Sequence, residues 1–210
     1  MIPIQLLTCP LCARELQQVG SLLRCPQRHT FDIAGEGYVN LLRKQQTGDT
    51  REMLRARRSF LEQGYYQPLS EHINNMLIEH LPTTDAAGLH MLDAGCGEGY
   101  YLGRLLQALS QHYPSLTAVG IDISKEAVRM AAKRYREAFF AVASIKDRFI
   151  FRDVAFHFLL NIFAPRNSAE FARVLLTSGL LMVVIPGEAH LARLRSTLEL
   201  LNIEQQKQQH

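Results

Sequence analysis

From Leu89 onward the chain alternates short apolar runs with amphipathic stretches. Runs at 89–94, 116–122, 138–143, 156–163 and 179–185 have strand length, while the segments 98–111, 124–136, 167–176 and 189–201 place apolar residues at helical spacing. In the second of these helices Val128, Ala131, Ala132 and Tyr135 recur on one face, and Ser124 stands where an N-cap belongs. Alternation on this scale predicts an α/β fold, a doubly wound, mainly parallel Rossmann-like sheet with helices on both faces. Ligands of such sheets sit at the carboxyl ends of the strands, where the strand order reverses.

Upstream the pattern changes. In "RKQQTGDTREMLRARRSFLEQGYYQPL" Gly48 breaks the chain, and Asp49 with Glu52 resembles a capping box opening a helix. Arg51, Arg55 and Arg58 fall at i, i+4 and i+7 as one basic stripe, while Met53, Leu54, Phe60 and Leu61 offer apolar contacts. The stripe suits a phosphate backbone and a solvated helix face equally well. The chain therefore divides into an N-terminal module over 1–42, a linker with helices over 43–84, and a main domain over 85–210.

Chemistry sharpens both ends of this division. Residues 9–29, "CPLCARELQQVGSLLRCPQRH", set Cys9, Cys12, Cys25 and His29 in the spacing C-x2-C-x12-C-x3-H. The two-residue spacing lets a tight turn aim both thiolates at one ion, and Cys25 with His29 completes a tetrahedron after a short hairpin through Gly20. A module this small cannot bury enough apolar surface to fold alone, so a closed, structural zinc site is expected, with iron as the minor alternative.

In the main domain the first strand leads into "LDAGCGEGYYLGRLL". A dinucleotide loop reads G-x-G-x-x-G, but here Gly95, Gly97 and Gly99 alternate and Tyr100 takes the place of the third glycine. Asp93, just before the loop, would sit awkwardly beside a diphosphate yet can engage, directly or through water, the ammonium end of S-adenosylmethionine. Asp122 ends the next strand in "VGIDIS", where a carboxylate can accept hydrogen bonds from both ribose hydroxyls. Together these residues favour S-adenosylmethionine as cofactor.

Composition adds limits rather than identity. The 210 residues are 47% apolar and 20% charged, room for one medium domain with a small accessory module. A net charge of +3 is compatible with nucleic acid without requiring it. No apolar run approaches the roughly 18 to 20 residues that span a bilayer, and "MIPIQLLTCP" lacks a basic leader, so the chain reads as soluble and cytoplasmic, with no membrane partner.

The sequence resembles the 23S ribosomal RNA guanine-N1 methyltransferases, a family that includes members linked to macrolide resistance. The resemblance rests on "CPLC", "CPQRHTFDIAGEGYVNLL", "ARRSFLEQGYYQPL", "LDAGCGEGYY", "AAKRY", "IFAP" and "PGEAHLARL", in the family's order and over nearly the whole chain. It implies a zinc ribbon that helps grip an RNA hairpin, joined to a class I methyltransferase domain, usually as a homodimer. It also implies cofactor contacts from Tyr66, Gly97, Glu98 and His190, of which Tyr66 and His190 are invisible to spacing arguments and read otherwise as a core aromatic and an ordinary residue at a helix start.

The chain departs from the family pattern at three places. His157 and Asn161 stand where Asp and Arg are expected, "LLTSGLL" replaces the usual "KPGG" stretch while keeping Gly179 for the turn, and the family continues beyond the last helix, so its final strands are expected to be missing. The segment from Asn161 to Pro165 borders the expected pocket and can hold a flipped base through backbone carbonyls and the Phe163 ring, although Phe163 equally suits a buried strand position. No residue is identified as catalytic base. The rival readings are a shortened relative that binds zinc, S-adenosylmethionine or RNA without turnover, and a small-molecule methyltransferase.

Overall fold

A computed structural model describes residues 1–44, 48–80, 88–110 and 112–197. The N-terminal part folds as a three-stranded antiparallel sheet, β1 (Gln17–Val19), β2 (Leu22–Arg24) and β3 (Thr30–Asp32), with β1 and β2 joined through Gly20 at a φ of 61°. The hairpin expected there is thus formed. A two-residue strand, β4 (Val39–Asn40), then leaves this sheet and joins the larger one.

Two helices follow, α1 (Arg51–Glu62) and α2 (Gln67–His80). The helix start expected from Asp49 and Glu52 is displaced by one residue: Thr50 is the cap, its hydroxyl accepting from the Met53 amide at 3.3 Å. Asp49 instead pairs with Arg57 at 2.7 Å and offers its carbonyl to the Ser124 hydroxyl at 3.1 Å. Its carboxylate is thus taken by a side chain about two turns into the same helix, while its carbonyl ties the segment to the tip of the main sheet.

The main elements are β5 (His90–Ala94), α3 (Tyr100–Leu109), β6 (Thr117–Asp122), α4 (Lys125–Arg134), β7 (Phe139–Val142), β8 (Phe156–Ile162), α5 (Ser168–Val174), β9 (Leu175–Val184) and α6 (Ala192–Thr197). Four of the five expected strands and the helices between them appear within two residues of their expected starts. The remainder of the helix expected over 189–201 lies outside the described residues. Six strands form one sheet in the order β4-β7-β6-β5-β8-β9, every neighbouring pair parallel.

Strand β9 starts four residues before its expected position, with α5 ending where it begins. Phe156 pairs with Leu175 and Phe158 with Leu180, so the stretch around Gly179 bulges out between two registered ends. The turn expected at Gly179 is absorbed into the strand, where the carbonyl of Leu176 leaves no room for a Cβ.

Alternation along the strands sorts side chains to two faces. Met91, Ala118, Phe140, Val142, Phe158 and Leu160 pack against α2, α3 and α4 on one side. Leu92, Ala94, Val119, Ile121, Ala141 and Leu159 face the other way, into a core shared with Phe171 and Val174 of α5 and with Leu6, Leu7, Cys9, Leu16, Leu23 and Cys25. The zinc-ribbon residues therefore occupy the place that a second helix would take in a doubly wound sheet. Their backbone is tied in as well: Thr8 donates to Ile150 O at 2.7 Å and Arg152 donates to Leu6 O at 3.0 Å.

Candidate functional site

Two turns bring Cys9, Cys12, Cys25 and His29 together. Ala13 donates to Cys9 O and Arg28 donates to Cys25 O, each turn closing with a residue at positive φ, 57° at Ala13 and 62° at Arg28. The four ligand atoms all lie within 4.8 Å of one another. Cys9 Sγ is 3.5 Å from His29 Nδ1, Cys25 Sγ is 3.4 Å from it, and Cys12 Sγ is 3.7 Å from Cys25 Sγ. A tetrahedral zinc with bonds of about 2.3 Å to sulfur and 2.0 Å to nitrogen needs ligand edges of roughly 3.3–3.8 Å, so the donor set fits that ion. Burial pushes the Cys9 thiol up to about 11, which makes metal loading at neutral pH a proton-releasing step.

The second site is a cleft of about 780 Å³ at the carboxyl ends of β5, β6, β7 and β8, where the strand order reverses between β5 and β8. Its floor is the loop from Gly95 to Gly99. Gly95, Gly97 and Gly99 all have positive φ, at 95°, 55° and 86°. At Gly95 a Cβ would run into Ala164 of the loop after β8, and at Gly97 it would meet only Arg57 Nη1 at 3.9 Å, so the Gly97 backbone is the bare surface facing the cleft.

Asp122 fixes this loop to the tip of β6. Its Oδ2 accepts from the Gly97 amide at 2.9 Å and its Oδ1 from the Ser124 amide at 2.8 Å. Burial raises its pKa while these two amides lower it, the balance lying above the ordinary value. Each oxygen retains a second lone pair. Asp93 lies behind the loop, only 2% exposed, and is absent from the cleft walls. Burial, reinforced by the Asp122 charge, pushes its carboxyl up to about 8, so it is largely protonated at neutral pH.

Glu98 lines the cleft yet is 2% exposed; its Oε2 receives Arg58 Nε at 2.9 Å and Nη2 at 2.7 Å. Its Oε1 is buried with no hydrogen-bond partner among the described residues. Tyr66 lies on the cleft wall, and its hydroxyl is 3.1 Å from His190 Nε2. The Phe163 ring stands edge-on to Tyr66 at 6.1 Å and tilted against His190 at 5.9 Å. Phe163 is 42% exposed and carries a positive φ of 52°, so it is a cleft residue and not a buried strand residue.

Of the residues named from the sequence, Tyr66, Gly95, Gly97, Glu98 and Asp122 line one cleft, whereas Asp93 lies beneath it and His190 reaches it through Tyr66. His157 and Asn161, noted as departures, are structural here. His157 Nδ1 accepts from the His90 amide at 3.1 Å, and the Asn161 amide donates to Ala94 O at 2.8 Å and Pro165 O at 3.0 Å, joining the ends of β5 and β8. Sequence reasoning missed Asp49, Arg57, Ser144 and Ile145 on the cleft wall. The last two follow β7 and were reachable from topology, since every strand of a parallel sheet ends on the same side; Asp49 and Arg57 carried no such signal.

Comparison with known proteins agrees with this geometry. The zinc-ribbon family model described as RlmA, N-terminal, matches residues 7–47, and a methyltransferase-domain model matches residues 85–157. The chain is 38% identical over 211 residues to the 23S rRNA (guanine(748)-N(1))-methyltransferase of Streptomyces fradiae, covering 98% of this chain and 72% of that protein. It is also 38% identical over 217 residues, 96% of this chain and 72% of the other, to a Micromonospora griseorubida protein provisionally named a 23S rRNA (guanine-N1)-methyltransferase. Among solved structures, a Methanococcus maripaludis protein described as S-adenosylmethionine-dependent methyltransferase superposes with a TM-score of 0.51 at 14% identity, over 74% of this chain and 73% of that one.

Proposed function

The chain belongs to the 23S rRNA (guanine-N1)-methyltransferase family, and from that premise we propose that it methylates N1 of a guanine in a 23S rRNA hairpin with S-adenosylmethionine as donor. The observation that carries this reading is the bare Gly97 backbone, held by Asp122 at the floor of a cleft roomy enough for a nucleoside cofactor and a flipped base. When bound, the cofactor would supply an electrophilic methyl group to guanine N1, leaving as S-adenosylhomocysteine while the N1 proton passes to solvent.

The protein's own work is orientation. The free lone pairs of Asp122 would take the ribose hydroxyls, and Gly97 would let the cofactor approach the main chain. Tyr66, steadied by His190, would close one wall. Asp93, buried beneath the loop as a largely neutral carboxylic acid, would engage the ammonium end of the cofactor through water and not directly. Asn161 anchors the segment ending at Pro165, and the exposed Phe163 ring offers a face for the extruded guanine. Cys9, Cys12, Cys25 and His29 would hold one structural zinc.

No described helix is long and apolar enough to cross a membrane; an rRNA substrate supports a cytoplasmic site of action. The homodimer is a finer expectation that rests on the family resemblance, and light scattering of the purified chain tests it. The activity itself is tested by incubating the zinc-loaded chain with methyl-labelled S-adenosylmethionine and an unmodified 23S rRNA hairpin. Label in the RNA, with reverse transcription stopping at a single guanine because N1 can no longer pair, is the expected result. Cofactor binding without label in RNA would sink the reading and leave the binding-only alternative.

A further inference from the structure

Helix α1 separates two concave surfaces. Arg57, Phe60 and Leu61 wall the cofactor cleft, while Arg51, Arg55 and Arg58 turn the other way into a groove shared with α4. The basic stripe readable in the sequence is therefore half of a larger feature, because α4 contributes Arg129, Lys133 and Arg134 to the same groove. Six cations thus converge against two lining carboxylates, Glu62 and Glu126.

The pairings account for four of the six. Arg51 reaches Glu126 at 2.8 Å and Arg134 reaches Glu62 at 2.8 Å, both across the groove. Arg129 is held by Glu126 at 2.8 Å and Glu36 at 3.6 Å, and Arg58 is committed to Glu98. Arg55 and Lys133 are exposed and have no ion-pair partner among the described residues. The resulting positive potential favours a polyanion. Among the described residues Met130 is the only apolar one lining the groove and no aromatic ring lines it, so the groove is suited to phosphates and not to bases.

We propose that the α1–α4 groove is an RNA-backbone site, holding phosphates that flank the target guanine while the base itself enters the cleft on the far side of α1. The proposal rests on the rRNA reading above and adds to it a specific, sequence-independent surface. The separation is one helix, roughly 10 Å across, a distance a strand spans within a few nucleotides. Arginine forks suit the task because they bind phosphate oxygens in pairs.

The test is a salt series of hairpin binding, followed by fluorescence anisotropy with the zinc-loaded full chain, comparing wild type with Arg55→Ala/Lys133→Ala. Arg58 is left alone because it also holds Glu98. Affinity should fall on the order of tenfold and the salt dependence should become shallower by about two phosphate contacts. Cofactor affinity by calorimetry should be unchanged, and Arg55→Lys/Lys133→Arg should retain wild-type binding. In the transfer assay the KM for RNA should rise while kcat at saturating RNA holds. Unchanged affinity and salt slope, or a loss that the charge-keeping variant shares, would overturn the groove. So would dependence on these residues of polyglutamate binding but not hairpin binding, which would make the groove a protein surface. A wild-type chain that binds the hairpin through this groove yet transfers no methyl would sink the methylation reading and leave the groove standing.

Discussion

The metal cluster draws all its ligands from residues 9–29, whereas the walls of the cofactor cleft run from Gly48 to Pro165. In the first, two tight turns put each donor in place, and neighbours in sequence are neighbours in space. In the second, the sheet order does the assembling: β5, β6, β7 and β8 end on one side, and α1 is brought over them by the Ser124–Asp49 hydrogen bond and the Arg58–Glu98 pair. The electrostatics differ in the same way. The cluster is completed by a cation, while the cleft carries acidic groups already matched to internal partners, Asp122 to two amides and Glu98 to Arg58. A local site is specified by spacing, and an assembled one by everything that holds its sheet together.

The contrast is not a separation, because the cluster shares a core with the sheet. Replacing Cys25 with Ser is the harshest way to probe that link. Zinc content by mass spectrometry should fall from about one equivalent to none, and unfolding free energy should drop by about 4 kcal/mol or more, since Cys25 lies in the same core as Phe151 and Leu159. Retention of a full equivalent of zinc would remove Cys25 from the ligand set, and loss of zinc without loss of stability would show the two regions to be independent.

Asp122→Ala sharpens the comparison from the cleft side. It strands the amides of Gly97 and Ser124, so stability should fall by about 1–2 kcal/mol, and cofactor affinity by roughly ten- to a hundredfold, read by denaturation and titration calorimetry. Equal affinity in wild type and variant would place the ribose elsewhere.

The smallest effect is expected from Asp93. Its folded carboxyl keeps its proton up to about pH 8, whereas the unfolded group releases it near pH 4, so the folded state binds more protons between these values. Stability should therefore decline as pH rises through that window and level off above it, by roughly 1–2 kcal/mol once local relaxation softens the burial penalty. Asp93→Asn should flatten the decline in urea midpoints between about pH 5 and 8.5. A variant with the wild-type slope would assign the decline to other groups.

Much of the cleft was legible in the one-dimensional pattern. The alternate glycines, the carboxylate at the end of the next strand and the parallel sheet follow from periodicity and loop chemistry, because a strand ending in glycines has few uses besides close backbone approach. Tyr66 and His190 came from family resemblance, since one aromatic and one histidine 124 residues apart carry no local signal of their contact. Asp49 misled for the opposite reason: its local signal was a helix cap, but its carboxylate pairs with Arg57 farther along the same helix and its carbonyl takes the distant Ser124 hydroxyl.

The sequence by itself determined the zinc quartet, the glycine floor, the β-strand and helix alternation and the basic face of α1, all of which depend on residues within a turn or two of each other. Only the tertiary structure decided that Val39–Asn40 completes the large sheet, that the zinc ribbon covers a sheet face in place of a helix, that Asp93 is buried and neutral, and that α4 doubles the basic stripe into a groove. Those outcomes depend on which distant surfaces exclude water together, and burial of that kind is a property of the assembled chain, not of any segment of it.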